Sequence, residues 1–183
     1  MREPTAIKLA CRLPLRRVMA AGLLLLCLPF VQAQQLFVPV SVAELCGMSD
    51  VIVDGTVMRV YMPRVSSVGK LETPVGIKVT RILKGPASLK TLQLIEPGGK
   101  DSGGREEVYF GQIIPNAGER YILFLRRDSV GSYYAFGGLH SHYRVVNGRI
   151  VVHPAMPRIL RTGFENAPVE KLLKEIRDEL RTK

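Results

Sequence analysis

A succession of short segments in which apolar and polar residues alternate runs from Asp50 to Val152, and it constrains the fold more than any other feature. The first segment reads DVIVDGTVMRVYM, and the most apolar one reads RYILFL. Alternation with a period of two is typical of strands that bury one face. Because no helical pattern separates consecutive strands, we predict a mainly β fold, either a small antiparallel barrel or a sandwich.

The long first strand contains a glycine, Gly55, in its interior. Glycine weakens a strand, so its usual purpose there is a bulge or a tight bend. A bent first strand lets a small sheet curl towards a barrel. Gly55 therefore favours the barrel over the sandwich.

A helix is predicted before the first strand and another after the last one. Ser41 and Glu44 fit a capping box, in which the two side chains accept hydrogen bonds from each other's backbone N–H groups. Pro168 lies near the first turn of the C-terminal helix, where proline is tolerated. The apolar stripe of that helix, which predicts packing against the sheet, consists of Val169, Leu172, Leu173, Ile176 and Leu180.

Residues 1–33 have the pattern of a signal peptide. A basic segment precedes the apolar run VMAAGLLLLCLPFV, which ends at VQA, so we predict cleavage after Ala33 and an exported, periplasmic or secreted, protein. A membrane-spanning helix needs about 20 apolar residues, and this run is shorter and contains Pro29. An uncleaved anchor is the alternative interpretation.

Removal of the leader changes the charge and the cysteine count. The 150 remaining residues keep 21 of the 26 basic and 15 of the 16 acidic residues, a net charge of +6 in place of +10. These charges are dispersed along the chain, so nucleic acid is not favoured as a partner. Cys46 is the single cysteine left, which excludes an intramolecular disulfide and requires a stable apolar core.

Five short motifs together resemble a known family. SDVIVDGTVMRV, VTRILKG, LIEPGG, NAGERYILFL and FGG, between Ser49 and Tyr143, are similar to the strands and the PGG loop of a family of exported bacterial domains. Those domains resemble the OB-fold barrel of netrin-like modules and tissue inhibitors of metalloproteinases. The resemblance implies an OB-like barrel outside the cytoplasm. Removal of the leader would leave no membrane span.

The same resemblance brings no catalytic residue with it. The metalloproteinase inhibitors act through an N-terminal cysteine that ligates the zinc of the protease, whereas the expected mature terminus here is Gln34-Gln35-Leu36. Inhibition by that mechanism is not expected, although another protein-binding role stays open. We divide the chain into a leader (1–33), a segment with a short helix (34–50), the barrel (51–162) and a C-terminal helix packed on it (163–183).

The segment HSHYRVVNGRIVVH contains all three histidines of the chain. Asn147-Gly148 predicts a two-residue hairpin turn. That turn would place His142 opposite His153, with His140 on the same face two residues earlier. Three imidazoles so placed could hold a zinc or copper ion and leave a fourth coordination position open.

Other features of this hairpin favour ordinary histidines. Arg144 and Arg149 share the predicted polar face and would repel a cation, and no carboxylate lies nearby in sequence to orient the imidazoles. Solvated histidines, or a weak pH sensor, are the alternatives to a metal site. Since no spacing indicates a nucleophile or a carboxylate pair, we predict a non-catalytic binding or accessory module with a protein or envelope partner. Binding of a transition metal in the periplasm is the alternative function.

Overall fold

The computed structural model describes residues 40–109, 111–153 and 163–182, so the predicted leader and its cleavage point lie outside the described residues. Helix α1 spans Val42–Met48 and begins with the predicted capping box: Ser41 N–H donates to Glu44 Oε2 at 2.8 Å, and Glu44 N–H donates to Ser41 Oγ at 3.2 Å. The capping-box prediction is confirmed. The described residues all belong to one compact unit, 38–183.

Five strands form a closed barrel, because each pairs with the next and the last pairs with the first. In barrel order, these strands are β1 (Val51–Val60), β3 (Leu71–Lys84), β4 (Thr91–Pro97), β8 (Tyr133–Tyr134) and β7 (Arg120–Arg127). Four of the neighbouring pairs are antiparallel, and β4 pairs with β8 in parallel. The predicted fold is confirmed: mainly β, with an OB-like barrel and two helices.

Five further short strands decorate the barrel. They are β2 (Arg64–Val65), β5 (Gly99–Lys100), β6 (Glu106–Glu107), β9 (His142–Val146) and β10 (Arg149–Val151). β2 pairs with β3, β5 pairs with β6, and the β9–β10 hairpin extends from β7. A 3-10 helix (Gly138–Ser141) lies between β8 and β9, and helix α2 (Val169–Arg181) follows the hairpin.

The strands separate two apolar cores. One fills the barrel and includes Val53, Leu94 and Leu123, all fully buried. The other lies between the outer face of the barrel and the two helices, with Phe124 from β7 among its central side chains. The predicted stripe of α2 packs there: four of its five residues are buried, and Leu180 is partly buried.

Gly55 marks a bulge in β1, as predicted. The pairing of β1 with β3 shifts register between Asp54 and Gly55. A Cβ atom at position 55 would lie 2.7 Å from Cγ2 of Ile77 and 3.0 Å from the carbonyl oxygen of Lys78. The absence of a side chain therefore lets β3 approach β1 closely as the barrel curls.

Of the helices that the structure describes, none is long and apolar enough to cross a membrane.

Candidate functional site

The β9–β10 hairpin has the predicted register. Val146 pairs with Arg149, Val145 with Ile150 and Arg144 with Val151, around a turn in which Asn147 and Gly148 both have positive φ. This is the geometry of a two-residue type I′ turn, which asparagine and glycine favour. The pairing ends at Val151, so the expected direct opposition of His142 and His153 is not formed by strand pairing.

β9 lies on β7 beyond the point where β8 ends. Tyr121 pairs with Arg144, and Leu123 pairs with His142. Residues paired across antiparallel strands point to the same face, so His142 and Arg144 share the inward face of β7 with Leu123 and Tyr121. The hairpin therefore brings polar side chains to one end of the barrel.

His142 forms a buried pair with Glu96 at this end of the barrel. Its Nε2 atom lies 2.8 Å from Glu96 Oε1, and the two side chains are 1% and 3% exposed. The backbone pairing of β4 with β8 stops at Ile95 and Tyr134. The hydrogen bond between Glu96 on β4 and His142 on β9 therefore joins the two sides of the barrel at the point where the parallel backbone pairing ends.

The hydrogen bonds of His142 indicate which of its two ring nitrogens carry a hydrogen. The Nδ1 atom lies 3.1 Å from the carbonyl oxygen of Gly138, which accepts only, so Nδ1 carries a hydrogen. If Nε2 faces a carboxylate, it must carry a second hydrogen, which makes the ring an imidazolium. Burial alone lowers the pKa of His142, but the charge and hydrogen bond of Glu96 and the Gly138 carbonyl raise it above its ordinary value.

A cavity of about 220 Å³ opens beside this pair. The loop before β7 forms one wall, and β9 and the end of β10 form the other. Its polar lining residues are Gln112, Asn116, Glu119, Tyr121, His142, Arg144 and His153, and its apolar ones are Ile113, Ile114, Val151 and Val152. The cavity is thus lined by polar groups on the barrel side and by aliphatic groups beside them.

Glu119 organises the polar part of the cavity. Its carboxylate accepts hydrogen bonds from Tyr121 Oη at 2.7 Å and from Asn116 N at 2.9 Å, and it forms an ion pair with Arg144 at 2.9 Å. Burial alone raises the pKa of Glu119, but these hydrogen bonds and Arg144 lower it below its usual value. Burial and the Glu119 carboxylate raise the pKa of Tyr121, so the phenol remains protonated. The network holds a guanidinium and a phenol in fixed positions.

The three histidines occupy three different environments. We expected His140 to share the strand face of His142, but it lies in the 3-10 helix instead. Its side chain is 4% exposed, and neither ring nitrogen has a hydrogen-bond partner among the described residues. His153 is exposed beyond β10 and lines the cavity with His142. Within the described ranges, no group of three or more histidine, cysteine, aspartate or glutamate side chains is placed to hold a metal ion.

The sequence did not identify Glu96 as a partner of His142. The two residues are 46 positions apart, whereas the carboxylate expected to orient the histidines was one close to the hairpin in sequence. One local indication existed, since Glu96 follows Leu92 and Leu94 in alternation and should therefore face inward with them. A carboxylate on an inward face requires a partner, and that requirement points to a buried cation.

Comparison with protein-family models gave no match, and comparison with curated protein sequences gave none either.

Proposed function

We propose that this chain is an exported, non-catalytic binding module that uses the cavity between the loop before β7 and the β9–β10 hairpin to hold part of a protein or envelope partner. A protein-binding role agrees with the resemblance to the OB-like barrels of netrin-like modules. The observation that carries the proposal is the combination of a defined cavity with polar side chains held in place by Glu119. Fixed donors beside aliphatic walls are typical of binding sites.

The state of His142 supports binding over catalysis. A histidine that acts as a general base needs a ring nitrogen whose lone pair faces the substrate. Both nitrogens of His142 face protein acceptors instead, the Glu96 carboxylate and the Gly138 carbonyl. The imidazole thus contributes to the wall of the cavity, and its proton is held by the fold.

Filling the cavity should abolish capture of the partner. Ile114 lines the cavity and is 36% exposed, so Ile114→Trp places a large ring in it at little cost to the core. An affinity pull-down from the envelope fraction, read by mass spectrometry, should recover a reproducible partner with the wild type and lose it with this variant.

The matched control for this experiment is Val130→Trp, a comparable aliphatic-to-tryptophan change at a residue that is 84% exposed in the β7–β8 loop. The control should capture the partner as well as the wild type does. Undiminished capture by Ile114→Trp, or no reproducible partner for the wild type, would argue against the proposed function.

Binding of zinc or copper by the histidines is the second candidate function. The observation in its favour is that His142 and His153 line the same cavity. His140 does not line this cavity, and His142 would have to exchange its hydrogen bond with Glu96 for the metal. The proposal therefore requires a rearrangement at the end of the barrel.

Calorimetric titration with zinc, copper and nickel tests the metal proposal. If it holds, one metal binds per chain, and His153→Ala, at an exposed position, weakens its affinity at least about tenfold, the lower end of the effect seen for groups that support metal sites. His142→Ala should abolish binding. A titration without saturation, or an affinity unchanged in either variant, rejects this function.

A further inference from the structure

We propose that the cavity beside Arg144 binds a carboxylate joined to a short aliphatic group. This inference rests on the proposed binding function and specifies the chemical class of the group that the cavity holds. The hydrogen-bonding capacity of the lining residues, their charges and the size of the cavity all favour such a ligand.

The guanidinium of Arg144 has unused hydrogen-bonding capacity in the cavity. Its guanidinium carries five N–H donors. Among the described residues, its one polar partner is Glu119, which contacts it through Nη2. The side chain is 44% exposed, so its remaining donors are accessible to a ligand. A guanidinium held at one edge is well suited to bind a carboxylate at another, because its planar donors match two carboxylate oxygens.

The two carboxylates beside the cavity are already engaged by protein donors. Glu119 takes hydrogen bonds from the backbone and side chain of Asn116 and from Tyr121, in addition to its ion pair with Arg144. Glu96 takes the hydrogen bond from His142. A ligand that brings acceptors is therefore better matched to this lining than one that brings donors.

The charge of the lining favours a monoanion. Arg144 attracts an anion, while Glu119 beside it repels one, so the net attraction is small and does not offset the larger desolvation cost of a second negative charge. A phosphate dianion is thus disfavoured relative to a carboxylate. The His142–Glu96 pair is neutral as a whole and adds little net field.

The apolar walls and the volume of the cavity determine the nature and size of the group attached to the carboxylate. Ile113 and Val152 pack together at the apolar side of the cavity, with Ile114 and Val151 beside them. A drug-sized ligand occupies a pocket of about 300–1,000 Å³, and this cavity measures about 220 Å³. It therefore fits a few methylene groups or one aliphatic side chain. Both a free short-chain acid and the C-terminal residue of a peptide meet these requirements.

Titration of the full chain with pentanoate and with pentanamide, followed by calorimetry and by amide chemical shifts in NMR, tests the proposal directly. The two probes have the same aliphatic chain and differ in the charge of the head group. Because a hydrogen bond to a charged group is stronger than one to a neutral group, pentanoate should bind about ten- to a hundredfold more tightly. Shifts should concentrate on Tyr121, Arg144 and Val152.

Arg144→Gln should reduce the affinity for pentanoate by a similar factor and leave the weak affinity for pentanamide unchanged. Arg144→Lys, which keeps the charge without the planar donors, should give an intermediate loss. Arg64→Gln, at an exposed arginine on β2 outside the cavity, is the matched control and should bind as the wild type does. Far-ultraviolet circular dichroism checks that the variants are folded.

Two further probes distinguish the sources of the carboxylate. Tighter binding of N-acetyl-alanyl-valine than of pentanoate would indicate a peptide C-terminus, and the reverse order would indicate a free acid. Equal binding of pentanoate and pentanamide, no saturable binding of either, or unchanged binding by Arg144→Gln would overturn the proposal. Those results leave the pull-down unaffected, so a partner lost on Ile114→Trp would still support the binding function without its carboxylate.

Discussion

Replacing Glu96 with alanine is expected to lower the free energy of unfolding by about 3–5 kcal/mol at pH 6, the range typical of removing one member of a buried charge pair. The variant leaves the His142 ring buried opposite an empty position, where it must either stay charged without a counter-ion or lose its proton and a hydrogen bond. Urea denaturation monitored by circular dichroism measures the change. The control is Glu106→Ala, at an exposed glutamate on β6, which should alter stability by no more than about 0.5 kcal/mol.

The same pair makes stability depend on pH in a defined direction. The pKa of His142 is raised in the folded protein above the ordinary value of 6.5. The folded ring therefore holds its proton where the unfolded ring has released it. This stabilisation is fully present below pH 6.5 and is lost as the pH rises through the folded pKa. Between pH 6.5 and the folded pKa of His142, the free energy of unfolding should fall by at most about 1.4 kcal/mol per pH unit.

Glu96→Gln separates the charge from the hydrogen bond. The glutamine amide can donate to Nε2 of a neutral His142, while Nδ1–H still donates to the Gly138 carbonyl. This variant should fold without the additional proton, so its stability should lack the decline above pH 6.5 that the wild type shows. A glutamine variant whose stability declines as steeply as that of the wild type would contradict the assigned protonation.

Local features were predicted from the sequence because the interactions that determine them are local. The capping box joins Ser41 to a residue three positions away, and the Asn147–Gly148 turn sets the register of its own hairpin. The bulge at Gly55 needed only the rule that a strand tolerates glycine poorly. The barrel followed from these elements together with the family resemblance.

The candidate site was predicted only in part, because it depends on contacts between distant segments. The hairpin pattern placed His142 correctly on the polar face. His142 itself is nevertheless buried, because it pairs with Leu123 of β7 at the end of the barrel, while Arg144 and Arg149 on the same face are exposed. His140 was misplaced because period-two alternation was extended back from His142 into residues 138–141, which form a 3-10 helix that begins at Gly138 with a positive φ. The Glu119–Arg144 ion pair could not be read from the sequence, because it requires the register of β7 with β9.

Replacing Gly55 with alanine should also change the stability of the fold by a large amount. Two physical effects of this substitution act in opposite directions. Alanine restricts the unfolded chain more than glycine does, which by itself would stabilise the protein by about 0.4–1 kcal/mol. The added Cβ would, however, lie 2.7 Å from Ile77 and 3.0 Å from a backbone oxygen that cannot move without disturbing the β1–β3 pairing. Overpacking of this kind typically costs about 1–3 kcal/mol. We therefore expect Gly55→Ala to be destabilising.

Gly76 on β3 is the matched control, because it is a strand glycine whose added Cβ would meet its nearest neighbours at 3.6–3.8 Å, the ordinary contact distance. Neither glycine has a positive φ, so backbone strain does not separate the two substitutions. Gly76→Ala should leave the midpoint of urea denaturation unchanged or raise it, while Gly55→Ala should lower it. If both substitutions raised the midpoint, the close approach of β1 and β3 at the bulge would not be what requires glycine at position 55, and the curvature of the barrel would have to originate elsewhere in the sheet.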